Sequence, residues 1–196
     1  MTKRPADVQG GPDFFASSAP GGDEPDAGPL DELTPPRATP SGRSFVVEAD
    51  GGSRGNPGPA AYGALVRDAS SGELVDEEGQ TLGVATNNVA EYSGLIAGLE
   101  MVREIDPGAS VEVRMDSKLV IEQMAGRWKV KHPSMVPLAL AAQKLRPVRV
   151  RWTWVRREQN KAADRLVNLA LDGEPIRRSH PVPGEAAVDG TTTEDR

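Results

Sequence analysis

The 196-residue sequence contains no cysteine and only two histidines, and it has no apolar run approaching ~18 residues. The absence of cysteine excludes a disulfide framework, a thiolate metal site and a cysteine nucleophile. The sequence MTKRPADVQGGPDFF at its start lacks the apolar segment of a signal peptide, so we expect a cytoplasmic protein without a membrane span. The apolar fraction of 37% is low for a chain that is folded throughout. We therefore expect part of the chain to lie outside the folded domain.

Both ends of the chain have the composition of disordered segments. Residues 1–43 contain 8 of the 17 prolines and 7 acidic against 4 basic residues, without a helical or strand period. Such a stretch cannot bury enough apolar surface to offset the entropy lost on ordering it. Residues 173–196 have a similar composition. We therefore predict a disordered leader at 1–43, a folded domain at 44–172 and a disordered tail or linker at 173–196.

The charge of the predicted domain is divided along the chain. Residues 44–109 carry 11 acidic and 3 basic residues, whereas residues 110–172 carry 6 acidic and 13 basic residues. This division suits a protein that holds cations in one region and a polyanion in another. Ordinary solvated surface charge explains the same numbers equally well.

The sequence SFVVEADGGSRGNPG at residues 44–58 joins a strand pattern to a glycine-rich turn. Phe45, Val47 and Ala49 alternate with the other residues in the two-residue period of a strand, so we predict Asp50 at its last position. The glycines that follow allow the backbone to turn tightly and to approach a ligand closely. Taken by itself, Asp50 is explained by capping of the turn. A catalytic role for Asp50 requires further carboxylates nearby.

The rest of the domain has the element order of an α/β layer structure. A hairpin-like pair of strands is followed by helices and strands in alternation. The predicted strands after the first are 60–68, 73–82, 110–115 and 148–154, and the predicted helices are 89–105, 117–125, 134–145 and 161–171.

Three more carboxylates lie at the ends of these elements, and each has a structural explanation of its own. Glu91 follows Asn88 by three residues, the spacing of a capping box. Asp116 is suited to cap the helix that follows it. Asp164 lies early in the last helix, where a negative charge is favourable. Strand ends and helix starts meet at one edge of such a sheet, so these groups and Asp50 can share one crevice.

Four carboxylates in one crevice require cations. Unpaired neighbouring carboxylates repel each other by roughly 1 to 4 kcal/mol per pair. Oxygen ligands without cysteine or histidine favour Mg²⁺ or Mn²⁺ over zinc. The sequence thus predicts a divalent metal site.

Four segments of the sequence closely resemble the motifs of type 1 ribonuclease H. They are ADGGSRGNPGPAAYGALV from Ala49, TNNVAEYSGLIAGLE from Thr86, MDSKLVI from Met115 and REQNKAADRLVNLA from Arg157. Their order and spacing match the family over about residues 44–172. The short loop after the third motif resembles the ribonuclease H domains of actinobacterial proteins.

The resemblance implies a five-stranded mixed sheet, with three antiparallel strands followed by parallel strands, flanked by helices. It implies hydrolysis of the RNA strand of an RNA–DNA hybrid with two Mg²⁺ ions, or Mn²⁺ in their place, to give 5′-phosphate products. The catalytic, metal-binding residues it implies are Asp50, Glu91, Asp116 and Asp164, with Asp50 bridging both ions. The implied hybrid contacts are Ser53, Asn56, Thr86, Asn87 and Asn88, where Asn56 and Asn87 have turn-forming and helix-capping as alternative roles.

The sequence departs from the family in two places. Many bacterial members have a long basic protrusion where this chain has only residues 126–133. Trp128, Lys129 and Lys131 are therefore predicted to form a smaller basic grip, that is, a smaller binding surface for the DNA strand. The family often has a histidine in the loop before the last aspartate. The matching loop has none, so we consider Arg157 or Glu158 as groups that assist product release.

Two further questions are open at this point. Some related proteins carry a phosphatase-like domain after the ribonuclease H domain, so a fused C-terminal domain is an option, and we expect a monomer. The alternative function is a noncatalytic module of the same fold that binds a hybrid or a protein. Intact carboxylates at all four positions argue against that alternative.

Overall fold

The structure is a computed structural model that describes residues 40–178. The disordered leader predicted at 1–43 therefore lies almost wholly outside the described residues, as does the predicted tail from residue 179 onward. Among the described residues, no helix combines the length and the apolar character needed to cross a membrane.

Five strands and four helices make up the described part of the chain. The strands are β1 (Ser44–Ser53), β2 (Gly58–Asp68), β3 (Leu74–Ala85), β4 (Ser110–Met115) and β5 (Arg149–Trp154). The helices are α1 (Asn87–Ile105), α2 (Lys118–Met124), α3 (Val136–Lys144) and α4 (Lys161–Leu171), and a short 3₁₀ helix at Arg157–Gln159 precedes α4.

The strands form one mixed sheet in the order β3-β2-β1-β4-β5. The first three strands pair antiparallel, and β4 and β5 join β1 in parallel. This arrangement confirms the predicted α/β fold class. It also places Asp50 and Asp116 at the same end of two neighbouring parallel strands, as the sequence predicted.

The two faces of the sheet hold different helices because strand side chains alternate in direction. Phe45, Val47 and Ala49 are buried in the main core with residues of α1. On the opposite face, Leu65 of β2 forms a smaller cluster with Leu166 of α4. Asp50 belongs to the alternate set of β1, so it faces the α4 side.

Strand β1 does not end at Asp50, which corrects the prediction. It continues through Gly51 and Gly52 to Ser53, which pairs with Ala60 of β2. A neighbouring antiparallel strand satisfies the backbone of these glycines in extended form, and the local preference of glycine for turns cannot reveal such a partner. The turn itself lies at residues 54–57, which include a cis peptide bond between Asn56 and Pro57.

The structure rules out the capping roles that were the structural alternatives for Glu91 and Asp116. The N-cap of α1 is Thr86, whose Oγ1 accepts a hydrogen bond from Val89 N at 3.4 Å. The N-cap of α2 is Ser117, whose Oγ accepts from Val120 N. Hydroxyl side chains therefore cap both helices, and Glu91 and Asp116 are left for other contacts.

The folded part of the chain extends past the boundary predicted at Asp172. Ile176 forms a two-way backbone bridge with Gly79 at the free edge of β3, with both N···O distances 2.9 Å. Arg178 then reaches three carboxylates, namely Glu78 at 2.5 Å, Glu100 at 3.1 Å and Glu104 at 3.0 Å. We call residues 173–178 the C-terminal strap, since they cover part of an exposed strand edge and link β3 to α1.

Arg178→Ala is expected to lower the free energy of unfolding by about 2 to 3 kcal/mol. The Arg178 side chain is only 11% exposed, and its removal leaves three neighbouring carboxylates without their cation. Urea unfolding followed by circular dichroism measures the change. Arg177→Ala is the matched control because Arg177 is exposed, and an equal loss in both variants would contradict the role given to Arg178.

Candidate active site

Four carboxylates from four different elements line one cavity at the edge of the sheet. Asp50 comes from β1, Glu91 from α1, Asp116 from the end of β4 and Asp164 from α4. The cavity has a volume of about 330 Å³. The four residues that are far apart in the sequence are therefore brought together as predicted.

The close approach of α1 to β1 places Glu91 beside Asp50. A Cβ atom added to Gly51 would lie 2.0 Å from the Ala90 carbonyl carbon and 2.1 Å from Glu91 N. No side chain fits in that space, so the two backbones touch only because residue 51 is glycine. The glycine thus sets the distance between two of the four carboxylates.

A second close approach positions α4. A Cβ atom on Gly63, which pairs with Asp50 across β1 and β2, would lie 2.5 Å from Ala163 O and 2.6 Å from Leu166 Cβ. Helix α4 therefore rests on the backbone of β2. This contact brings Asp164, in the first turn of α4, to the cavity.

Neutral donors orient Glu91 and Asp116. Glu91 Oε1 accepts a hydrogen bond from Asn87 Nδ2 at 2.9 Å, and Glu91 Oε2 accepts from Ser117 Oγ at 2.5 Å. Asp116 Oδ1 accepts from Asn160 Nδ2 at 2.8 Å. Both carboxylates keep a fixed orientation while retaining lone pairs for a cation.

Asp164 forms an ion pair with Arg157. Arg157 Nη2 donates to Asp164 Oδ1 at 2.8 Å, and Asn168 Nδ2 donates to Asp164 Oδ2 at 3.0 Å. As the side chains of residues 40–178 stand, no group of three or more histidine, cysteine, aspartate or glutamate residues is arranged to hold a metal ion. Arg157 therefore occupies one oxygen of the Asp164 carboxylate, which lines the cavity with Asp50, Glu91 and Asp116.

The electrostatics of the cavity favour cation binding. Burial, aided by the charge of Asp116 and more weakly by the charges of Asp164 and Glu91, raises the pKa of Asp50 to about 7. Burial also raises the pKa of Glu91, although the hydrogen bonds from Ser117 and Asn87 oppose the shift. Oxygen donors that are hard to ionise without a positive neighbour fit Mg²⁺ or Mn²⁺.

The raised pKa of Asp50 predicts a pH-dependent difference between the metal-free wild type and Asp50→Asn. Because the folded-state pKa of about 7 exceeds the ordinary aspartate pKa of 3.8, the folded protein binds the extra proton, and stability is lost as pH rises from about 4 to about 7. At pH 8 in chelator the variant should be more stable, by on the order of 4 kcal/mol. The difference should vanish near pH 4.

Thermal and urea unfolding across this pH range measure the effect. Saturating Mg²⁺ should raise the melting temperature of the wild type more than that of Asp50→Asn, since a ligand that binds only the folded state stabilises it. A constant difference between the two proteins from pH 4 to pH 8 would contradict the electrostatic account.

The structure gathers some of the predicted hybrid-binding residues around the cavity. Ser53 and Asn87 line it together with the carboxylates, and Asn56 Oδ1 accepts a hydrogen bond from Asn87 N at 3.2 Å. Thr86 caps α1, and Asn88 is exposed in its first turn. Asn87 does not cap the helix, because its side chain binds Glu91 instead.

The predicted basic grip lies in the loop between α2 and α3. Trp128, Lys129 and Lys131 are exposed there and are not part of the cavity wall. The loop is tied to α1 through Gln123, which accepts a hydrogen bond from Tyr92 Oη at 2.8 Å and donates to Lys129 O at 3.3 Å. The loop thus has a fixed attachment to the helix that carries Glu91.

Sequence reasoning missed the part played by Asn160. The sequence places Asn160 only directly before the predicted helix 161–171, whereas in the structure its side chain is fully buried and its Nδ2 donates both to Ala49 O at 3.0 Å and to Asp116 Oδ1. Asn160 therefore connects β1, Asp116 and α4. The available signal was its position four residues before Asp164, one helical turn away.

Two further residues of the site were not identified from the sequence. Ser117 donates to Glu91 in addition to capping α2. Arg54 lines the cavity and binds Leu171 O and the Asp172 carboxylate at the end of α4. A serine after an aspartate and an arginine in a turn have many ordinary explanations, so neither carried a usable signal.

Comparisons with known proteins agree with this geometry. A family model described as Reverse transcriptase-like matches residues 48–170. The bifunctional protein Rv2228c of Mycobacterium tuberculosis is 54% identical over 129 residues, which cover 65% of this chain and 35% of that protein. The solved structure of its N-terminal RNase H domain, fused to maltose-binding protein, is 51% identical with a TM-score of 0.64, covering 67% of this chain and 96% of that one.

Two other solved structures are similar over the same part of the chain. RNase H1 from the halophilic archaeon Halobacterium salinarum is 40% identical with a TM-score of 0.62, covering 66% of this chain and 98% of that one. LC11-RNase H1, solved in complex with an RNA/DNA hybrid, is 38% identical with a TM-score of 0.63, covering 66% and 97%. The chain spans about a third of the length of the mycobacterial relatives it matches.

Proposed function

The chain belongs to the type 1 ribonuclease H family, and on that premise we propose that it hydrolyses the RNA strand of RNA–DNA hybrids. The observation that carries the proposal is the convergence of Asp50, Glu91, Asp116 and Asp164 on one cavity. The complex of LC11-RNase H1 with an RNA/DNA hybrid supports the choice of substrate. Cleavage would leave a 5′-phosphate and a 3′-hydroxyl.

The same four carboxylates would hold two divalent ions, Mg²⁺ or Mn²⁺. When bound, such ions supply an activated water and stabilise charge on the leaving 3′ oxygen. Asp50 would be a ligand of both ions, since the charges of Asp116, Asp164 and Glu91 all raise its pKa. Asn160 and Ser117 would keep Asp116 and Glu91 turned toward the ions.

The pair between Arg157 and Asp164 does not prevent metal binding. The side chains are 76% and 30% exposed, and an exposed ion pair contributes about 1 kcal/mol or less. Asp164 could therefore give up its pair with Arg157 to hold a divalent ion at little cost. After cleavage, Arg157 can return to Asp164, which is the product-release role considered from the sequence.

The cavity wall offers groups that distinguish RNA from DNA. Ser53 lines the cavity, and its Oγ is turned away from solvent without a hydrogen-bond partner among the described residues, so rotation of the side chain can present the hydroxyl to a ligand without breaking a hydrogen bond. A 2′-hydroxyl can both donate to and accept from such a hydroxyl, whereas DNA leaves it unpaired. Ser53 is thus proposed to sense the ribose, with Asn56, Asn87, Asn88 and Thr86 contacting the neighbouring backbone.

The test is cleavage of a labelled RNA–DNA hybrid beside RNA–RNA, DNA–DNA and single-stranded RNA. Each substrate is incubated with Mg²⁺, with Mn²⁺ and with chelator. Cleavage of the hybrid alone, dependent on metal, is the expected result. A protein that binds the hybrid but cleaves nothing with either metal would instead be the noncatalytic module considered above.

Three other expectations from the sequence stay predictions. They are a cytoplasmic location, a monomeric state and a fused C-terminal domain. Gel filtration with light scattering measures the oligomeric state.

A further inference from the structure

A half-exposed tryptophan lies beside the proposed catalytic residues. Trp154 ends β5 and is 48% exposed. A single exposed apolar side chain is common and needs no explanation. The ring of Trp154 is unusual in that Nε1 donates to the backbone oxygen of Asp116 at 2.9 Å. Its position relative to a proposed metal ligand is therefore fixed.

Trp152, two residues earlier on the same strand, provides a contrast. It packs partly buried against the main core, and its indole N–H has no hydrogen-bond partner among the described residues. The indole of Trp152 thus packs in the core. The indole of Trp154 lies at the surface, where its N–H forms a hydrogen bond. Packing explains Trp152 but does not explain the exposed face of Trp154.

Exposed cations lie close to Trp154 along the chain. Arg156 and Arg157 follow it by two and three residues, and Lys118 follows its hydrogen-bond partner Asp116 by two residues. Arg157 also reaches Asp164 in the cavity. Exposed aromatic rings and cations occur together in nucleic-acid-binding grooves. The cations pair with phosphates, and the rings pack against the apolar faces of the nucleotides.

We infer that Trp154 is a binding residue for the hybrid: the exposed face of its indole packs against the nucleotide unit that lies over Asp116. This inference rests on the proposed function and adds a contact to it. The bond from Nε1 to Asp116 O sets the orientation of the ring, and the carbon face of the ring makes the contact. Lys118 and Arg156 attract the flanking phosphates.

Two substitutions separate the ring from its hydrogen bond. Trp154→Leu removes both, whereas Trp154→Phe keeps an aromatic face and removes only the N–H. The control is Leu74→Ala, because Leu74 is 47% exposed and begins β3 beside Arg67, at the end of the sheet away from Asp50. Circular dichroism melts establish that all three variants are folded.

Binding is measured by fluorescence anisotropy of a labelled RNA–DNA hybrid in chelator, where no cleavage occurs. Trp154→Leu should bind about tenfold more weakly, the size of one lost aromatic contact to nucleic acid, while Trp154→Phe stays within about threefold of the wild type. Leu74→Ala should bind as the wild type does. With Mg²⁺, Trp154→Leu should show a raised KM with little change in kcat.

Three results would overturn the inference. One is wild-type affinity in Trp154→Leu. Another is an equal loss of kcat in the Leu and Phe variants with unchanged binding, which would make Trp154 only an anchor for Asp116. A third is an unchanged contribution of Trp154 to the emission on addition of hybrid, measured as the difference between Trp128→Phe and Trp128→Phe/Trp154→Phe, because Trp152 emits in both proteins. If the wild type neither binds nor cleaves the hybrid, it is the proposed function that fails.

Discussion

The Asp50→Asn protein is expected to cleave an RNA–DNA hybrid at least about 1,000-fold more slowly than the wild type while still binding it. Asp50 is the carboxylate whose pKa responds to Asp116, Asp164 and Glu91 together, so it has a central place among the proposed metal ligands. Its loss removes a ligand proposed for both ions, and each tenfold in rate corresponds to about 1.4 kcal/mol of transition-state stabilisation. Asparagine keeps the volume and removes the charge.

Single-turnover cleavage at saturating Mg²⁺ measures this loss, and anisotropy in chelator measures binding. Glu73→Gln is the matched control because Glu73 is an exposed carboxylate in the turn before β3. It should cleave at the wild-type rate. A rate for Asp50→Asn within about tenfold of the wild type would exclude the catalytic role given to this residue.

The second large effect is expected from Gly51→Ala. The added methyl group would overlap the backbone of Ala90 and Glu91 at about 2 Å, and neither β1 nor α1 has a flexible side chain at that point to give way. Overpacking of this kind costs about 3 kcal/mol or more. If the protein still folds, α1 must move away from β1, and Glu91 moves with it.

Gly52→Ala is the neighbouring control. Its added methyl group would meet only Val167 Cγ1 at 3.1 Å, and a valine side chain can shift by a few tenths of an ångström. Urea unfolding should separate the two variants by about 2 kcal/mol or more. Similar stability and cleavage rates in both would show that the contact between α1 and β1 is not what spaces Glu91 from Asp50.

The sheet and the four carboxylates were accessible from the sequence because each left a local pattern. The alternation of Phe45, Val47 and Ala49 revealed a buried strand face, and it is buried as predicted. Strand ends and helix starts then placed Asp50, Asp116, Glu91 and Asp164 near one another by the ordinary geometry of α/β sheets.

What the sequence could not reveal depends on partners that are distant along the chain. Asn160 contacts Ala49 across 111 residues, and no local pattern encodes that bond. Gly51 and Gly52 resembled a turn because the sequence around them does not show that they pair with β2. The C-terminal strap resembled a linker because its composition is polar, while its stability comes from carboxylates on β3 and α1.

The C-terminal strap also fixes the point from which any attached domain or label is tethered. Residues 173–178 form the bridge to Gly79 and the ion pairs of Arg178, so the anchored part of the chain extends at least to Arg178. A fully extended chain spans roughly 3.5 Å per residue, so the strap shortens the reach of a partner by about 20 Å relative to a linker that starts at residue 173. Breaking the strap would widen the volume that such a partner explores and lower its effective concentration near the cavity.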